Sequence, residues 1–125
     1  MIFHITSLAA WSHAQRDGRL LSDSLVSEGF IHCATRAQVM PVANKYYKGQ
    51  SGLCLLAIDE SRLTSPVRWE SPTGESSETA DSAGLRFPHV FGPINLDSVQ
   101  STAALSIESD GLFRFPAALD SLFAT

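Results

Sequence analysis

No stretch of this 125-residue chain approaches the roughly 20 consecutive apolar residues needed to cross a bilayer. Cysteine is scarce: Cys33 and Cys54 stand alone, both in apolar runs, with no Cys-x-x-Cys or His-Glu-x-x-His spacing anywhere. That argues against a disulfide scaffold and against a sequence-encoded zinc site, so we expect two buried thiols and no metal. Neither sign of charge forms a block, and the formal net charge of −4 is mild. A bulk electrostatic grip on DNA is therefore not indicated, although a local basic pocket for nucleic acid is not excluded. The chain opens directly on strand-forming residues, without a basic segment followed by an apolar signal core. We expect a cytoplasmic protein with no membrane partner. Nothing in the pattern indicates an oligomeric state, and no internal repeat is visible.

What is there suffices for one core and one domain: 44% of the residues are apolar. A first strand is expected over Ile2 to Thr6. Ser7 then caps a helix carrying Leu8, Trp11, Ala14 and Gln15, which Gly18 ends. An extended piece over Leu20 to Leu25 leads through Ser27-Glu28-Gly29 into a second strand, Phe30 to Ala34. Thr35 and Gln38 fit a capping box, so a second helix starts there, burying Val39, Val42, Ala43, Tyr46 and Tyr47, with Pro41 kinking it or moving its start later. Leu53 to Ile58 reads as a central strand buried on both faces, and Val67 to Glu70 as a short strand. The polar stretch Ser71 to Gly84 reads as a mobile surface loop. Strands return over Val90 to Ile94 and Val99 to Ile107, Asp110-Gly111 turns the chain, and a loosely held helix follows Pro116. The whole predicts an α+β fold with two early helices on a mixed or antiparallel sheet.

Three of the four histidines are hard to explain by packing alone. His4, His32 and His89 each sit in an apolar, strand-like segment, and a buried imidazole must satisfy two ring nitrogens while its charge moves easily near neutral pH. Three of them in so short a chain suggest convergence on a polar pocket. The plainer reading of each is a core imidazole bonded to a backbone carbonyl. His4 and Thr6, two apart in a strand, share a face; His32 and Thr35 do not, and Thr35 is better explained as the cap of the second helix. Glu70 ends a strand just before the expected loop, where it could orient an imidazole, accept from a ribose hydroxyl or stabilise a developing cation. The plainer reading of Glu70 is an exposed charge paired with Arg68. His89 resumes the ordered chain straight after the loop, which places it near a segment able to close over a ligand. Trp11 and Tyr46 read as core, and His13 as exposed and inert.

The segments Phe3-His4-Ile5-Thr6, Gly29-Phe30-Ile31-His32-Cys33-Ala34-Thr35, Val42 to Tyr47, Arg68-Trp69-Glu70 and Phe87 to Pro93 resemble the bacterial family numbered 952 among domains of unknown function. The likeness covers about residues 1 to 107. That family is grouped with the ADP-ribosyltransferase superfamily. The resemblance implies a single ADP-ribosyltransferase-like domain over residues 1–115 with a C-terminal tail at 116–125, and NAD as a substrate. By that likeness His4 and Thr6 hold the nicotinamide ribose, with Thr35 also on the ligand side. His32 stands where a tyrosine is more usual, against the base or nicotinamide. Glu70 or His89 takes the acid/base or electrostatic role, making His32, Glu70 and His89 the catalytic candidates. The spacing from Trp69-Glu70 to Phe87-Pro88-His89 is longer than the family's usual one. The superfamily's glutamate on a late strand has no counterpart: Glu108 borders a turn, Glu70 comes early, and His89 occupies the late segment.

Three readings stay open on the sequence. The first is a nucleotide-binding domain that binds NAD or a relative and transfers ADP-ribose, with a relative acting on an RNA 2′-phosphate as a variant. The second is a two-histidine phosphoesterase acting on a cyclic phosphate, for which 32 − 4 = 28 residues is a short separation between motifs. The third is a non-catalytic module braced by its histidines.

Overall fold

The computed structural model describes residues 1–71 and 86–123, and within 121–123 the backbone alone. From residue 72 on, the expected loop over 71–84 lies outside the described residues. All strand pairs among the described residues are antiparallel, in an α+β fold, and no helix there is long and apolar enough to cross a membrane.

Strand β1 (Ile2–Ser7) pairs with β4 (Leu53–Ile58), Ile2 opposite Ile58 and Ser7 opposite Leu53. β8 (Val99–Leu105) flanks β4 on its other edge. All six residues of β4 are buried, as its unbroken apolar run predicts. Because successive side chains alternate, β4 feeds two cores. Leu53, Leu55 and Ala57 join Phe3, Ile5 and Leu105 on one face. Cys54, Leu56 and Ile58 join Ile2, Leu20, Ile31, Val90 and Ile94 on the other.

Helix α1 (Leu8–Asp17) starts where Ser7 Oγ accepts from the Ala10 amide at 2.9 Å, and ends at Gly18, whose φ of 93° lies in the left-handed region that glycine enters freely. Of the expected apolar stripe only Ala14 is buried; Leu8 is exposed. After β2 (Arg19–Leu20), which pairs with β7 (Ile94–Asn95), the extended piece expected to Leu25 is replaced by a five-residue helix, α2 (Asp23–Ser27). Ser24 Oγ anchors it by donating to the Phe30 carbonyl at 2.7 Å, a tertiary bond that no local propensity encodes.

The second strand shrinks to β3 (Ile31–His32), in a sheet of order β3-β6-β5 with β5 (Val67–Glu70) and β6 (Phe87–Val90). Pro88, expected to precede a strand, lies within the central one. Its carbonyl accepts from Cys33 N at 3.1 Å, but it has no amide to return the bond. The ladder accordingly ends at the His32–His89 pair, which is why β3 is so short.

Helix α3 (Arg36–Tyr46) opens on the expected capping box: Thr35 Oγ1 accepts from Gln38 N, and Gln38 Oε1 accepts from Thr35 N at 2.9 Å. That box holds the start at Arg36 despite Pro41, which forfeits only its own bond to the Ala37 carbonyl. Thr35→Ala should cost about 1 kcal/mol in urea unfolding, and Thr35→Ser should restore most of it; equal stability of all three would remove the cap from the account.

As far as Asp120 the C-terminal segment is anchored to α3 and the first core. Asn44 on α3 acts like a strand edge for Phe113, accepting its amide at 2.8 Å and donating to its carbonyl at 3.2 Å. Arg36 lies 3.7 Å over the Phe115 ring and bonds Asp120 at 3.2 Å. Leu119, on α4 (Ala117–Phe123), is fully buried in the first core.

Candidate functional site

Strand alternation and position in the sheet together decide where the histidines go. In β3, Ile31 is buried in the second core, so His32 turns outward, its side chain 44% exposed. The expectation of a buried imidazole fails here. Across the ladder His89 is paired with it and has no exposure, and the two rings lie edge to face at 5.3 Å. Phe30 stacks on His89 with centroids 4.0 Å apart and planes at 15°.

Each of the three imidazoles has one nitrogen committed. Glu70, at the end of β5, sits 3.1 Å from His89 Nδ1, not in a pair with Arg68, whose guanidinium lies over Phe91. A carboxylate accepts, so Nδ1 carries the proton and Nε2 is left as an acceptor. Nε2 is buried and has no hydrogen-bond partner among the described residues. Burial is the main cause that lowers the His89 pKa; hydrogen bonding to Glu70 opposes it, and the neighbouring His32 adds to it. His4, on β1, places Nδ1 2.6 Å from the His32 carbonyl, so that nitrogen too is the donor. Burial pushes the His4 pKa down to about 4, against the pull of that backbone bond. His32 Nε2 lies 3.1 and 3.2 Å from the two Glu28 oxygens at the surface.

Two clefts meet at this cluster. The larger, about 560 Å³, lies between α3 and the β3–β6 strands and is lined by Ala37, Gln38, Pro41, Val42, Lys45 and Tyr46 on one side and His32, Cys33, Phe87 and His89 on the other, with Tyr47. The smaller, about 340 Å³, is mixed: His4, Thr6 and Ser7 from β1 and Ser22, Asp23 and Ser24 from the α2 entry line it together with Ile5, Ala10 and Leu21. His32 and Tyr47 line both. The two clefts are thus neighbours with His32 and Tyr47 as common lining, the larger suited to a flat apolar group.

The fold therefore brings His4, Thr6, His32 and His89 to one place. Glu70 lines neither cleft and stands behind His89, while Thr35 is occupied as the α3 cap. Sequence reasoning missed Glu28, Tyr46 and Tyr47. Tyr46, read as core, is 61% exposed and lines the larger cleft. Glu28 precedes His32 by four residues across a glycine, a spacing that gave no reason to pair them. Cys33 lines the larger cleft, but burial above all raises its thiol pKa and keeps it protonated, so it is no nucleophile. No group of three or more His, Cys, Asp or Glu among the described residues could hold a metal ion.

A family described as a protein of unknown function, DUF952, matches residues 5–102. Among solved structures, the crystal structure of protein CC0527 from Caulobacter crescentus is 32% identical, with a TM-score of 0.76 over 90% of this chain and 92% of that one. The solution NMR structure of CC0527 is 31% identical, with a TM-score of 0.74 over 98% of this chain and 96% of that one. No curated protein matches the chain.

Proposed function

The chain belongs to the DUF952 family, and we propose that its joined clefts bind NAD or a related nucleotide, from which ADP-ribose is transferred. The fold reading that goes with this is an ADP-ribosyltransferase-like one. The observation that carries it is the shared lining by His32 and Tyr47, which lets one molecule lay a ring in the larger lobe and a sugar in the smaller one. Lobes of about 560 and 340 Å³ suit a nucleotide-sized ligand, since binding sites usually span about 300–1,000 Å³.

His4, a neutral acceptor at its free nitrogen, and the Thr6 hydroxyl hold ribose hydroxyls. His32, at the junction, meets the ring, and Tyr46, Tyr47 and Phe87 cover its faces. Bound NAD supplies a glycosidic bond to a cationic leaving group. The chain's contribution is to hold that bond away from water and to steady positive charge. Two carboxylates, Glu28 and Glu70, act through imidazoles, each already hydrogen-bonded to a histidine, while Asp23 lines the smaller cleft directly. Nothing in this arrangement needs a metal.

Calorimetric titration with NAD tests the reading. His4→Ala and His32→Ala should each weaken binding by about tenfold, the usual cost of one lost polar contact in a desolvated site, and Thr35→Ala should leave it unchanged. If NAD neither raises the melting temperature of the wild-type protein nor is consumed by it, the reading falls.

A further inference from the structure

We propose that His89 Nε2 is a built-in hydrogen-bond acceptor that selects ligands whose aromatic ring bears an exocyclic N–H, either the primary amide of nicotinamide or the amine of adenine. The inference deepens the nucleotide reading and rests on it for the choice of rings.

Three observations meet at this atom. Glu70 accepts from Nδ1 at 3.1 Å, which fixes the proton there and leaves a lone pair on Nε2. The ring has no solvent exposure, and Nε2 has no hydrogen-bond partner among the described residues. Buried polar atoms are nearly always satisfied, so an orphan in a binding cleft marks where a partner belongs. His89 also lines the larger cleft, with Phe30 stacked behind it and His32 against its edge.

Access would come past His32, whose side chain is 44% exposed and whose ring, hydrogen-bonded to Glu28, packs edge-on against Phe30 and His89. A donor entering there completes the only valence left open on His89. A carboxylate or bare ring nitrogen in the same place meets another lone pair and is repelled. The discrimination comes from the penalty of leaving the acceptor unmet, which makes recognition of a missing donor steep.

The test uses the wild-type protein labelled with 15N at histidine. In the free protein, long-range proton–nitrogen correlations should show the His89 proton on Nδ1; a proton on Nε2 overturns the proposal. Two ligand pairs then follow: nicotinamide against nicotinic acid, and adenosine against purine riboside, which lacks the amine. In at least one pair the amine-bearing ring should move the Nε2 resonance upfield and bind about tenfold or more tightly than its partner. The discriminating pair identifies which end of the dinucleotide sits at His89. Equal behaviour within both pairs, whether all four bind or none does, overturns the proposal. Selection of an amine-bearing ring by a protein that does not bind NAD would uphold the acceptor and sink the dinucleotide reading.

Discussion

Leu55→Ala should lower the unfolding free energy by about 2–5 kcal/mol, the usual range for truncating a fully buried leucine. Leu55 sits mid-strand in β4, opposite Ile5 on β1 and Ala103 on β8, with no exposure. It belongs to the core shared with Val39 and Ala43 of α3. Neighbours fixed on both edges by ladder hydrogen bonds cannot close in on the hole, so the upper half of the range is expected. A chain of this size should lose about 10 °C or more in melting temperature. In urea the midpoint should fall with little change in slope. A loss below about 1 kcal/mol would mean that the core collapses onto the gap, and that the sheet is less rigid than its pairing implies.

Acid should destabilise the protein through His4 before most carboxylates titrate. The folded His4 pKa is about 4 and the unfolded one about 6.5. The unfolded chain therefore binds a proton that the folded one refuses. The contribution is complete above pH 6.5, declines as pH falls, and is exhausted at about pH 4. The interval corresponds to about 3 kcal/mol. His89 shifts in the same direction, since burial outweighs the attraction of Glu70 and Glu28, and its loss adds to that of His4. Asp59 and Asp110 shift below their ordinary value of 3.8 through local hydrogen bonds, so they act only at lower pH. Urea midpoints measured from pH 7.5 to 4 should show the decline, and His4→Gln should flatten much of it. An unaltered slope in that variant would assign the effect elsewhere.

The legible parts of the fold were those written in local chemistry. Ser7, Gly18, and Thr35 with Gln38 announce helix ends by the atoms they offer, and Leu53 to Ile58 announces a central strand by having no polar face. What escaped was decided by partners outside the element itself. Helix α2 has five residues and depends on a bond from Ser24 to the Phe30 carbonyl; β3 stops because Pro88, far along the chain, lacks an amide. The histidine clustering followed from the expectation that imidazoles in apolar strands converge, yet their individual fates did not. Register puts His32 and His89 on one face of the sheet, and their fates part because His89 lies on the central strand under Phe30 while His32 lies on the edge strand. Tyr46 and Tyr47 continue a helical stripe in sequence, but the helix ends before them or at them and leaves their rings over a hollow. Glu28 gained its role only when α2 brought the chain round.

The family match stops at residue 102, whereas Phe113, Phe115, Leu119 and Asp120, which clasp α3 from behind, all lie past it. Since α3 forms one bank of the larger cleft, its spacing from the imidazoles is partly governed by sequence outside the shared segment. Two relatives with identical histidines but different final residues would then hold gaps of unequal breadth and accept rings of unequal size.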